Sequence, residues 1–150
     1  MTILVVPDTQ VTPETCTAHI AAAGRLLVKE RPKTVVVIGD WWDFESLSFY
    51  DKGKAVAEGR RLNLDIKAGC DAMELFLAPL LKLQAKQAES KRKVYKPRLI
   101  FTWGNHEERL QRYMNDNPAT VGSFDLKSII KGYGFEFYDF LEIVEVDNIM

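Results

Sequence analysis

Thr34-Val35-Val36-Val37-Ile38-Gly39-Asp40-Trp41-Trp42-Asp43 is the stretch on which the reading of this 150-residue chain turns. Its first five residues are apolar or β-branched with almost no alternation, the pattern of a strand buried on both faces in a parallel sheet covered by helices. Gly39-Asp40 then stops the strand and leaves a carboxylate at its carboxyl end. Two other apolar runs end in the same manner. Ile3 to Val6 runs into Pro7-Asp8-Thr9-Gln10, and Leu99 to Trp103 runs into Gly104-Asn105-His106-Glu107.

Helical patterns separate these runs. Residues 14–31 carry Ile20, Ala23, Leu26 and Leu27 at helical spacing, with Thr12 as N-cap, Pro13 in the first turn and Pro32 as the stop. Residues 58–90 place Leu62, Ile66, Met73, Leu77, Leu80 and Leu81 toward a core, and Pro79 is expected to kink or restart that helix. Two further helices are predicted over 106–116 and 124–131, then strands over 135–138 and 141–146. Asp147-Asn148 reads as a turn and Ile149-Met150 as the start of another strand. The alternation of strand and helix predicts an α/β fold with right-handed crossovers, and residues 1–150 read as one domain.

Composition narrows the functional classes. With 47% hydrophobic and 27% charged residues, the chain is neither disordered nor low-complexity. Cys16 and Cys70 are its two cysteines, which excludes a disulfide framework and a Cys-x-x-Cys metal site. No apolar run approaches a membrane span, and the N-terminus lacks the basic region of a signal peptide, so no membrane partner and a cytoplasmic location are expected. Charge is uneven: residues 82–98 carry seven basic groups against one acid, Glu89, whereas residues 135–150 carry five acids and no base. Such a basic run reads first as a solvated helix end and loop.

Ligands of parallel sheets sit outside the carboxyl ends of the strands. That edge would gather Asp8, Asp40 and Asp43, the carboxamides of Gln10 and Asn105, and the imidazole of His106. Like carboxylates repel one another unless a cation neutralises them. Oxygen donors with one histidine suit Mn²⁺, Mg²⁺, Fe or Zn²⁺. Gly39 and Gly104 permit the sharp turns that let the backbone leave each strand.

In this order the three segments resemble the calcineurin-like metallophosphoesterase superfamily, whose pattern runs Asp-x-His, Gly-Asp-x-x-Asp and Gly-Asn-His-Asp or -Glu. Asp8, Gly39-Asp40-Trp41-Trp42-Asp43 and Gly104-Asn105-His106-Glu107 match it. The resemblance covers essentially the whole chain, as the N-terminal half of a usual member. It implies the parallel-sheet half of an α/β/β/α sandwich, with the second sheet largely missing. It also implies two divalent metal ions bridged by Asp40, with Asp8 on the first and Asn105 on the second; Gln10, in the place of a family histidine, can add its side-chain carbonyl to the first. A bridging hydroxide would attack the phosphorus of a phosphodiester or phosphomonoester. His106 would serve the leaving oxygen, and Asp43 would orient His106. Two cations about 3.5–4 Å apart suit this chemistry.

The match has two gaps. Gln10 stands where the family has a histidine, which favours Mn²⁺, or else Mg²⁺, over Fe or Zn²⁺. The family's downstream histidines are also absent, since His19 and His106 are the only two, and His19 falls in the first helix. The resemblance therefore carries a second reading: a truncated or degenerate domain without catalysis, acting as a binding module. An exposed sheet face would then serve self-association or receive a missing C-terminal half. Arg109 and Arg112 are candidates for substrate phosphate. Trp41, with Trp42 and Trp103 beside the site, either belongs to the core or pocket wall or stacks on a base, and the second role would make nucleic acid the substrate.

Overall fold

β-branched side chains fit a pleated ladder better than a helix, and the valine run forms an interior strand of a four-stranded parallel sheet. The computed structural model describes residues 2–51 and 53–146. In it β1 (Ile3–Val6), β2 (Thr34–Val37), β3 (Arg98–Thr102) and β4 (Glu136–Tyr138) lie side by side in chain order. Val6 pairs with Val37, Val37 with Phe101, and Phe101 with Phe137. The connections contain α1 (Ala18–Glu30), α2 (Leu62–Glu89), and the pair α3 (Asn105–Asp116) and α4 (Leu126–Gly132).

Parallel strands taken in sequence, with crossovers of one hand, carry every helix to the same face. The main core has that composition. Leu4, Val35, Val37 and Phe101 of the sheet pack with Ile20 and Leu27 of α1, Met73 and Phe76 of α2, Leu110 of α3 and Ile130 of α4.

Helices do not cover the opposite face, as expected for the parallel-sheet half of a sandwich, although the valine run read by itself predicts a strand covered by helices on both faces. There Val36 and Ile100 meet Ile3, Tyr138, Val144 and Val146, while Val5 and Ile38 remain 50% and 45% exposed. The strand expected over 141–146 does not form. After β4 the chain turns: the Asp139 amide donates to Glu142 Oε2 at 2.7 Å, and the Glu142 amide to Asp139 O at 3.0 Å. Leu141 has a φ of +63°, which no ladder residue adopts. Beyond it the alternation of the segment sends Ile143 into solvent and sets Val144 and Val146 against the sheet face. The turn and strand read over 147–150 fall outside the described residues.

Helix boundaries differ from expectation most at the amino ends, α1 beginning at Ala18 instead of residue 14 and α2 at Leu62 instead of residue 58. α1 starts at Ala18 because Thr12 and Thr15 form a turn of their own. The Thr12 amide donates to Thr15 Oγ1 at 2.8 Å, and the Glu14 amide to Thr12 Oγ1 at 3.3 Å. α2 runs through Pro79 without restarting. The basic residues Lys91, Arg92, Lys93 and Lys96 are exposed in the loop that leads into β3. They lie at the amino ends of the strands, the edge opposite the candidate site.

Candidate active site at the strand ends

Beyond the carboxyl ends of β1 and β2 the two loops continue to pair. The amides of Gln10 and Val11 donate to Asp40 O and Trp41 O at 2.9 and 2.8 Å, and the Asp43 amide returns to Val11 O at 3.1 Å. The Thr9 hydroxyl adds a bond to Trp41 O at 3.1 Å. Non-glycine residues in the left-handed region concentrate here: Asp8, Gln10, Asp40 and Phe44 have φ of 30°, 43°, 49° and 54°. Each such residue costs about 1–3 kcal/mol, and such strain clusters where a site demands it. Gly39, at φ +79°, has no alternative, since a Cβ there would stand 2.6 Å from Gly104 Cα.

A single buried carboxylate joins this pair of loops to the third. Glu107 Oε1 accepts from the amides of Trp41 and Trp42 at 2.8 and 3.1 Å, and Oε2 from those of Asp40 and Gly104 at 2.9 and 3.0 Å. Burial pushes the Glu107 carboxyl above the ordinary carboxylate range, and the amides of Trp42 and Asp40 oppose that shift. Asp40 makes the reciprocal tie. Its Oδ1 accepts the His106 amide at 2.8 Å, satisfying a donor in the first turn of α3 where helix geometry leaves one free.

From that turn His106 reaches Asp43. Its Nδ1 lies 2.7 Å from Asp43 Oδ1 and 2.9 Å from Asp43 O, so Nδ1 carries the proton. Nε2 is then the acceptor, and Arg109 Nη2 stands 3.2 Å from it. Arg109 also donates through Nη1 to Asp43 O at 3.1 Å. Asp43, His106 and Arg109 thus form one partly buried cluster.

The structure therefore brings the three loops into one hydrogen-bonded unit. Asp8, Gln10 and Asn105 have exposed side chains, and Asp40 is half-buried. Trp41 is a correction. It is 0% exposed, and its indole donates to Gly69 O at 2.9 Å, so it offers no surface to a substrate. Trp42 is buried as well and donates to Ile66 O at 3.2 Å, and a Cβ at Gly69 would collide with its indole. The two tryptophans bolt the loop after β2 to α2, and Trp103 is core. None of the three can stack on a base.

The sequence assigned no role to Glu107, although its position three residues after Gly104 is that of a capping acid. Arg60 was missed altogether; it ties the segment after Asp43 through Glu45 Oε2 at 3.2 Å and Asp51 Oδ2 at 2.7 Å. Asp65, buried in the first turns of α2, accepts the Ser46 amide at 3.1 Å, and burial pushes its carboxyl up.

Among the described residues, no three His, Cys, Asp or Glu side chains form a metal-holding group. The candidate ligand set contains only two side chains of those types, Asp8 and Asp40, and is completed by the carboxamides of Gln10 and Asn105. Its chemistry is all oxygen, which fits a hard divalent cation. No described helix is long and apolar enough to cross a membrane.

A family model described as calcineurin-like phosphoesterase matches residues 1–149. No curated protein and no solved structure matches the chain. With the match extending over nearly every residue, this chain belongs to the calcineurin-like phosphoesterase family.

Proposed function

We propose that the chain hydrolyses a phosphodiester or phosphomonoester with divalent cations held at the strand ends by Asp8, Gln10, Asp40 and Asn105, with Mn²⁺ the best-suited ion. The observation that carries this reading is the Asp43–His106–Arg109 cluster, set beside Asp40 and tied to all three loops. Divalent cations in such a site supply an activated water and neutralise phosphoryl oxygens.

The chain's own groups do the rest. Asp43 fixes the imidazole with Nδ1–H inward and Nε2 outward. Arg109 is placed to pair with a substrate phosphoryl oxygen, which would draw its guanidinium from Nε2. His106 Nε2 is then free to take a proton and deliver it to the leaving oxygen.

Hydrolysis of bis-p-nitrophenyl phosphate with added Mn²⁺ tests this. His106→Ala is expected to lower the rate about 10²–10⁴-fold, and Asp40→Ala to remove metal dependence. Equal rates in all three proteins would remove the assignment. The missing imidazoles support a second reading, a non-catalytic binding module. Absence of bound ions at saturating Mn²⁺ would favour it.

A further inference from the structure

A cleft of about 980 Å³ opens beside the candidate site, between α3 and the turns over residues 45–51. One wall is a face of α3 that begins with Asn105, a proposed metal ligand, and continues through Arg109, Arg112 and Tyr113. The other wall carries Phe49 and Tyr50, which are 82% and 83% exposed. Their rings meet edge to face, with centroids 6.5 Å apart.

This aromatic pair has no packing explanation. A Phe or Tyr buries about 150–250 Å² when it joins a core, and neither residue does so. Nor is the turn that presents them loosely held. Arg60 grips both ends of it through Glu45 and Asp51, and Asp65 holds the Ser46 amide. The cleft is also far larger than a phosphoryl group and sits at the upper end of small-ligand sites. Something flat and substantial fits beside the phosphate.

Charge narrows the occupant. Arg109 and Arg112 stand about one helical turn apart on the α3 wall. Of the lining carboxylates, Glu45 shares Arg60 with Asp51, and Asp116 sits on the last turn of α3, away from Asn105. Two guanidinium groups leading from the candidate metal site, faced by an exposed aromatic platform, are the elements that hold a single strand: cations for phosphates and π-faces for bases. A duplex keeps its bases stacked inside and cannot use Phe49 and Tyr50.

Building on the proposed phosphoesterase reading, we infer that the cleft between α3 and the 45–51 turns binds single-stranded nucleic acid, with successive bases stacked on the separate, nearly perpendicular ring faces of Phe49 and Tyr50 and a neighbouring phosphate on Arg112. The strand then enters the site with a phosphodiester at Arg109 and His106. The specificity determinant is the aromatic pair, not the buried tryptophans.

Fluorescence anisotropy of a labelled oligothymidylate, measured in EDTA so that no cleavage occurs, tests this. Single strands are expected to bind more tightly than a duplex or an abasic strand of equal length. Phe49→Ala and Tyr50→Ala, exposed positions that leave the core intact, should each weaken binding about 5- to 150-fold. Arg112→Ala should reduce the log–log salt slope by about 0.7. Equal affinity for abasic and base-bearing strands, unaltered binding by both aromatic variants, or tighter binding of the duplex would overturn the inference. The reading beneath it fails separately. A chain inert toward bis-p-nitrophenyl phosphate that still binds the strand through Phe49 and Tyr50 loses its enzymatic assignment and keeps the cleft. An active chain that binds no strand does the reverse.

Discussion

Glu107 is the residue on which the geometry of the site depends most. Its two oxygens satisfy four backbone amides from two loops that are more than sixty positions apart in sequence. Buried amides left without an acceptor cost about 1–3 kcal/mol. Glu107→Gln keeps the shape but turns one acceptor into a donor aimed at amides. A loss of about 2 kcal/mol in urea unfolding is expected, with a fall in hydrolysis even though Glu107 touches no substrate; wild-type stability in this variant would refute the clip. The sequence singled out Asp40, Asp43, Asn105 and His106 as candidates from their places in the loops after predicted strands, and the family resemblance supplied the roles expected of them. It could not show that Trp41 is core. That outcome depends on Gly69, 28 residues away, whose carbonyl accepts from the Trp41 indole and whose missing side chain makes room for that of Trp42.

Two elements carry measurable consequences of their own. Pro79 lies inside α2, where it removes a backbone donor and crowds the preceding turn, at about 3 kcal/mol in an exposed helix. Part of that is offset by the stiffer unfolded chain. Pro79→Ala is therefore expected to raise stability by about 1–2 kcal/mol, a Tm increase of roughly 2–8 °C; a lower Tm would show that the proline shapes α2 rather than straining it. Between β3 and β4, Arg98 forks onto Glu136, with Nε–Oε2 at 2.9 Å and Nη2–Oε2 at 2.7 Å. The guanidinium hydrogen bond holds Glu136 below its ordinary value of 4.5, so the ionised form favours the fold. That contribution is complete above pH 4.5 and is lost as pH falls through the lower folded value. Both side chains are partly exposed, which limits it to under about 1 kcal/mol. Melting curves taken between about pH 6 and 2.5 should show Glu136→Gln less stable at the upper end and converging with wild type at the lower. A constant gap would contradict the linkage.

At the scale of the molecule, strand order decides where everything lies. Four parallel strands in sequence put the helices on one face and the three loops on one edge, and the basic loop over 91–96 falls at the opposite edge. The unbroken valine run, with the turns carrying Asp8, Asp40 and Asn105 after the first three strands, made this much readable. The segment over 141–146 was misread because alternation alone does not distinguish a ladder strand from a chain laid across a sheet face. The deciding feature was the left-handed Leu141.

Everything functional rests on oxygen donors from Asp8, Gln10, Asp40 and Asn105 holding a divalent cation at that edge. Mn²⁺ uptake, followed by electron paramagnetic resonance on the native chain and on Asp40→Asn, examines this without reference to any substrate. Saturable uptake by the native chain that collapses in the variant is the expected result. Uptake that never saturates, or that is the same in both proteins, would contradict it.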